Sequence, residues 1–329
     1  MNHLHLLIPD LFPPQDIAAE VCTELQLPAL EKLLARGDAS TSSGIALEDW
    51  LCAAFGAQAV APVRAAADGL DAGGGYWLCA DPVNLQLHHA QAMLIPEVAL
   101  SREEATAMCE GLNAHFAGNE MRFFAPHPQR WYVRLQVEPQ LATVPLRQAA
   151  WRDAKLYQPQ GADALHWQRI ATEVQMLLYA HPLNQAREAR GEPIAGSLWL
   201  WGGGRATPLR AAYDAVGGDS DLGLAFARAA GIAPVAALEI LLHTRGASAL
   251  WVDESMDRAQ RRGDYHAWRE AVLGLEQICA SLLSALRAGQ LQRLTLEVPA
   301  GSGARRYELT RASAWKLWRP VHALARYGV

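Results

Sequence analysis

A chain of 329 residues, 51% hydrophobic and 19% charged, has a globular rather than disordered make-up and can bury one large core or two modest ones. Its net charge is −5, with acidic and basic residues interspersed, which excludes the basic footprint of a nucleic-acid binder and a polybasic membrane patch. No segment reads as the run of about 20 apolar residues that crosses a bilayer.

His3 to Ile8 is a short apolar run closed by Pro9 and Asp10, and it suits a buried strand whose carboxyl end carries a carboxylate. Met1 to Pro14 lacks the basic start and small-residue cleavage site of a signal peptide. Leu27 to Arg36 has helical spacing and stops at Gly37. Ala39 to Gly44 reads as a Ser/Thr/Gly turn, and Ile45 to Phe55 as a second helix. Ala65 to Gly75 has a loop composition, and Tyr76 to Ala80 suits a short strand. Ser101-Arg102-Glu103-Glu104 is a capping-box pattern that opens a helix to Phe116. Trp131 to Val137 alternates as a strand, and Asp163 to Tyr179 is an amphipathic helix.

Ser197 to Trp201 predicts a strand running into Gly202-Gly203-Gly204, a tight turn or an anion cradle of backbone N–H groups. Trp199 and Trp201 share one face of that strand and pack against a helix. Leu222 to Ala230 is a helix, Ala249 to Val252 a strand ending in Asp253-Glu254, Tyr265 to Ala288 a long helix, and Leu291 to Val298 a strand. His88-His89 would point to opposite faces of a strand and share no ion. Arg305-Arg306 suits a solvated hairpin tip, while Trp251, Trp315 and Trp318 suit core or interface positions. Cys22, Cys52, Cys79, Cys109 and Cys279 are widely spaced without a CxxC pair, so free thiols in a reducing cytoplasm are expected. The alternation of strand and helix predicts an α/β fold, a mostly parallel sheet covered by helices, with chemistry gathered at strand ends.

Three stretches resemble the archaeal-type branch of cofactor-independent phosphoglycerate mutases, within the alkaline phosphatase superfamily. Leu6-Leu7-Ile8-Pro9-Asp10 is similar to the opening strand whose final Asp binds metal there, and Leu27 to Gly37 is similar to the "TPNLDKLAKEG" helix that follows it. His181 to Gly204 resembles the "HPVNxxRxxxGKxPAN" segment and the glycine turn after it. Val252-Asp253-Glu254 through Gly263-Asp264 resembles the "DEAGHDGD" region and its helix. The resemblance implies an alkaline-phosphatase-like core, residues 1–80 and 195–329, with a smaller inserted α+β domain, 81–194.

It also implies a site. Such a mutase transfers a phosphoryl group through a serine activated by two divalent metals, Mn or Zn, which need about six to eight Asp and His ligands. Ser43 or Ser42 stands where the nucleophile belongs, with helix capping the plainer role. Asp10, Asp253, Asp264 and His266 are the candidate metal ligands. His181, Asn184, Arg187, Arg190 and Gly203 are the candidate anion-binding group; the plainer role for the arginines is to meet the negative end of a helix.

Against that pattern, Ser255, Met256 and Asp257 stand where the family places a His after Asp253-Glu254, and Thr295 to Gly301 lacks the Asp-His pair expected there. The expectation is therefore a degenerate bacterial relative with a degraded metal site: a pseudoenzyme with no cofactor, binding a phosphorylated small molecule or a protein partner in a regulatory role. An active metal-dependent mutase with a phosphoserine intermediate, and a structural interaction protein with an aromatic surface, are the alternatives.

Overall fold

The period-two pattern of His3–Leu7 sends Leu4 and Leu6 to one face of a strand and His3 and His5 to the other. In the computed structural model, which describes residues 1–244, 246–299 and 303–328, this strand is central to a seven-stranded sheet. The sheet order is Asp38–Ser42, Ala304–Thr310, Arg293–Val298, His3–Leu7, Ser248–Val252, Ala215–Gly218 and Pro234–Val235. From Arg293–Val298 onward the pairings are parallel; the two strands at the other edge are antiparallel to their neighbours. Parallel neighbours need crossovers, and helices supply them, covering the apolar runs on both sides.

Leu4, Leu6, Leu294, Leu296 and Ala249 form one face and pack with Leu30, Leu33 and Leu34 of helix Pro28–Arg36. Trp268, Val272, Leu275, Cys279 and Leu282 of helix Tyr265–Ala288 join them. By length and composition alone that 24-residue helix is apolar enough to cross a membrane, which corrects the expectation that no segment is. Here its apolar stripe lies in the core cluster, while Arg269, Glu270 and Leu273 are outside it.

These elements belong to a unit formed by Met1–Phe55 and Arg210–Val329; Gly56–Leu209 forms a second. The second unit holds an antiparallel sheet. Tyr76–His88 pairs with Gln91–Ile95, Arg130–Leu135 and Ser197–Gly204, and Met121–His127 pairs with Arg130–Leu135. Helices Arg102–His115 and Ala164–Ala180 contribute Met108, Leu112, Trp167, Ile170 and Val174 to its core. The Ser101 capping box is present, with the Ser101 hydroxyl accepting from Glu104 N–H and the Glu104 carboxylate accepting from Ser101 N–H.

Several local expectations give way to tertiary pairing. Residues 38–42 are an edge strand rather than a turn, because Ala304–Thr310 supplies ladder partners to a Ser/Thr stretch with exposed side chains. Arg305 and Arg306 lie inside that partner strand, not at a hairpin tip. Val60–Ala67 is a helix, so the loop begins later than its Ala/Gly composition suggests. Trp315 and Trp318 are 53% and 77% exposed rather than buried, while Trp251 packs at the core's margin and Trp199 and Trp201 are buried. The boundaries 80 and 195 both fall inside the second unit, because Tyr76–His88 and Ser197–Gly204 are strand partners. The five cysteines are free, with Cys79, Cys109 and Cys279 buried.

Candidate functional site

In a parallel sheet every strand delivers its carboxyl end to one edge, so residues just past neighbouring strands converge. Asp10 follows His3–Leu7, Asp253 follows Ser248–Val252, and Asp219 follows Ala215–Gly218, three adjacent strands. The backbone ladder runs on past the strands: Asp253 N–H donates to Leu7 C=O at 2.9 Å and Asp219 N–H to Val252 C=O at 3.0 Å. Asp10 has φ 51°, a left-handed conformation that a non-glycine residue adopts at a cost.

Helix Ser255–Arg262 then brings two guanidinium groups to these carboxylates. Arg258 pairs with Asp219. Arg261, 13% exposed, lies 2.8 Å from Asp257 and 3.4 Å from Asp10. Residues three apart on a helix share a face, which is how one short helix serves both. Asp253 is 8% exposed, and its carboxylate accepts from Ser255 N–H at 3.0 Å and from the Ser255 hydroxyl. Burial raises its pKa above the usual carboxylate range, and the nearby Asp219 charge pushes the same way, against those hydrogen bonds and Arg258.

The remaining predicted metal residues are not drawn in. Asp264 caps helix Tyr265–Ala288, accepting from Ala267 N–H at 2.9 Å. His266, the second residue of that helix, has its side chain 85% exposed and 3.9 Å from Glu270. Among the described residues no three His, Cys, Asp or Glu side chains are placed to hold a metal ion. Ala300 and Gly301, in the stretch where an Asp-His pair is expected, lie outside the described residues. Among the described residues a guanidinium stands against the Asp10 carboxylate, and a dication bound there would have to displace it.

Ser42 ends the edge strand paired with Ala304, and Ser43 follows it; both are exposed, and the next helix begins only at Leu47. Neither hydroxyl is placed as a helix cap, the plainer of the two roles.

The anion-binding candidates lie in the second unit, and acids and carbonyls surround them. Arg187, 3% exposed, donates to Pro193 C=O at 2.9 Å and to Glu104 at 2.9 Å. Arg190 forms a two-pronged bond to Glu192 at 2.8 Å. Asn184 is buried and bridges Leu178 C=O and both backbone groups of Ala195. His181 caps helix Pro182–Ala189. Gly203 lies within a strand, where an added Cβ would sit 2.5 Å from the Tyr76 hydroxyl. The Gly202-Gly203-Gly204 run is thus a strand that lets neighbours come close, rather than a tight turn.

Sequence reasoning missed Asp219, Arg258 and Arg261. Gly217-Gly218-Asp219-Ser220 carries the same strand-then-carboxylate signal as Asp10, and Ser220 caps the next helix by accepting from Gly223 N–H. The arginines carry no such signal, since Asp219 lies 39 residues away from its partner.

No family model matches the chain. In sequence it is 26% identical over 123 residues to the 2,3-bisphosphoglycerate-independent phosphoglycerate mutase of Methanosarcina barkeri. That match covers 36% of this chain and 31% of the relative, so it spans about a third of that protein's length. In structure it is similar to the PH0037 protein from Pyrococcus horikoshii, with a TM-score of 0.61 and 13% identity over 94% of this chain and 87% of that one. It is also similar to the cofactor-independent phosphoglycerate mutase from Thermoplasma acidophilum, with a TM-score of 0.50 and 12% identity over 99% and 94% of the two chains. The chain therefore has the mixed α/β, alkaline-phosphatase-like fold of cofactor-independent phosphoglycerate mutases.

Proposed function

We propose that this protein is a phosphoglycerate-mutase-like binding or regulatory protein without metal-dependent phosphoryl transfer. The observation that carries the reading is Arg261, whose guanidinium lies against both Asp10 and Asp257 at the carboxyl edge of the parallel sheet. A positive charge fixed to the chain neutralises the first strand's carboxylate, and a dication would have to displace it. Arg258 does the same for Asp219. Ser42 and Ser43 stand exposed on an edge strand and its continuation. On this reading fixed guanidinium groups take the place of metal ions at the strand-end carboxylates, and the fold serves binding without transfer.

The second reading is an active phosphotransferase that uses Asp10 and Asp253. Their placement after neighbouring strands favours it. Metal content and turnover, measured together on the purified chain after incubation with Mn²⁺ or Zn²⁺, separate the two. The expected result is substoichiometric metal and no interconversion of 3- and 2-phosphoglycerate. About two bound equivalents together with turnover that Asp10→Ala abolishes would overturn the proposal.

A further inference from the structure

The face of the seven-stranded sheet opposite the leucine core carries polar residues at its centre. His5, Thr295 and Glu297 are 5%, 0% and 7% exposed, on adjacent parallel strands. Buried polar groups are costly unless every one is satisfied. Here the Glu297 carboxylate accepts from His5 Nε2 at 2.9 Å and from the Trp50 indole N–H at 2.9 Å. His5 Nδ1 lies 3.1 Å from the Tyr213 hydroxyl, and His3 Nε2 shares a 2.9 Å hydrogen bond with the Thr295 hydroxyl. An imidazole bonded at both nitrogens, with a carboxylate behind it, is fixed in orientation.

This network forms the floor of a cavity of about 610 Å³ whose lining belongs wholly to the first unit. Trp50, Ala53, Ala54 and Ala212 give it an apolar wall, and Arg210 and Arg306 give it cations. Arg210 is anchored, donating through Nε and Nη2 to Ala54 C=O at 2.9 Å and Ala53 C=O at 2.7 Å. Arg306 pairs with Glu308 through Nη2 at 2.8 Å. Among the described lining residues Glu297 alone is acidic, and both of its oxygens already accept hydrogen bonds. Two guanidinium groups thus border the space beside one carboxylate, each held by bonds of its own. Burial first, then His5, Arg293 and Arg306, drive the His3 pKa down to about 4 against an opposing pull from Glu308. Burial and the Glu297 charge push the Tyr213 hydroxyl up to about 12, so it stays a neutral donor.

We propose that this cavity binds a small carboxylate or phosphate, its charge met by Arg306 and Arg210 and its body laid against Trp50. The inference stands on the lateral face of the sheet and does not depend on the reading of the carboxyl edge. Preorganised donors of this kind convert modest contacts into specific binding, because little side-chain freedom is lost on association.

The test follows the His3 ring and the Trp50 indole N–H by NMR in the full chain. Inorganic phosphate and, separately, acetate are titrated against chloride at matched ionic strength. Saturable shifts of both signals with either anion support the proposal, and which anion saturates assigns the class. Arg306→Ala is expected to weaken binding about tenfold, the loss of one charge-assisted contact, with Arg306→Lys intermediate. The bound anion should also raise the His3 pKa from about 4, a change that a purely structural network would not produce. Shifts that fail to saturate with both anions, or that persist unchanged in Arg306→Ala, would overturn it. If Arg306→Ala does not fold, Arg306→Lys decides: binding equal to the parent protein counts against the site, and weakened binding counts for it.

Discussion

Glu276 lies mid-helix in Tyr265–Ala288 with 7% exposure, a place where an ionised side chain needs several partners. It finds them outside its own helix. Its two oxygens accept from Ala29 N–H at 2.8 Å and Leu30 N–H at 2.9 Å, at the start of helix Pro28–Arg36. That helix has Leu27 at its N-cap and so no side chain of its own to serve these donors. The carboxylate also faces the positive end of the helix dipole. Glu276→Ala would strand two buried N–H groups, and we expect a loss of about 2–4 kcal/mol. Glu276→Gln keeps one acceptor oxygen and should cost less. Urea denaturation checks this: the midpoint falls in the order Glu, Gln, Ala, and equal midpoints for all three would show that water replaces the carboxylate.

At the scale of an element, strand Ser197–Gly204 shows what glycine does when it is neither turn nor cap. Gly204 approaches Ala59, and Gly203 approaches Tyr76 and Leu78; an added Cβ would lie 2.3 Å from the Ala59 Cβ in the first case and 2.5 Å from the Tyr76 hydroxyl in the second. Gly203→Ala should therefore destabilise by about 1–3 kcal/mol through overpacking. Gly274, inside helix Tyr265–Ala288 with nothing within 4 Å of its would-be Cβ, is the control: Ala there should stabilise by about 0.5–1 kcal/mol. Thermal unfolding of the two variants should move in opposite directions; a neutral Gly203→Ala would mean that Tyr76 swings aside.

The same strand marks the limit of what the sequence discloses. Trp199 and Trp201 on one face follow from period two, and the Ser101 capping box follows from its Ser-x-x-Glu spacing, because both signals are local. Asp10 and Asp253 are legible as carboxylates that end apolar runs. Their neutralisation is not, since Arg261 reaches Asp10 across 251 residues of chain. The His3 and His5 alternation is visible in the sequence, yet Thr295, Glu297, Trp50 and Tyr213 reach it only through sheet order and the packing of helix Leu47–Phe55. Residues 38–42 carry a turn composition and become a strand for the same reason: the partner strand is remote in sequence.

For the whole molecule, the decisive hydrogen bond joins the two halves of the discontinuous first unit. Arg210 N–H donates to Phe55 C=O at 2.9 Å, and the Arg210 side chain holds Ala53 and Ala54 C=O as well. The chain thus leaves the first unit and returns to it at one point, so Gly56–Leu209 is excisable in principle. Closing the gap needs only a few residues, and loop-closure entropy grows slowly with length, about 0.6 kcal/mol per doubling. The core cluster of sheet strands and the helices Pro28–Arg36 and Tyr265–Ala288 lies entirely within the retained segments. The excised unit has a separate core around Trp131, Trp167 and Val133. It also has a polar network of its own, in which Asp68 accepts from Arg130 and the Tyr132 hydroxyl while Arg64 pairs with Asp81. Burial alone would raise the Asp68 pKa, but those hydrogen bonds outweigh it and hold the carboxyl below its usual range. Its stabilisation is therefore present above the unfolded carboxyl pKa and is lost as pH falls through the lower folded value. We expect residues 1–55 joined to 210–329 by a short Gly-Ser link to unfold in one cooperative urea transition. Residues 56–209 expressed alone should do the same, with a midpoint that declines on acidification. Broad or absent transitions in either piece would mean that its core is completed by the other.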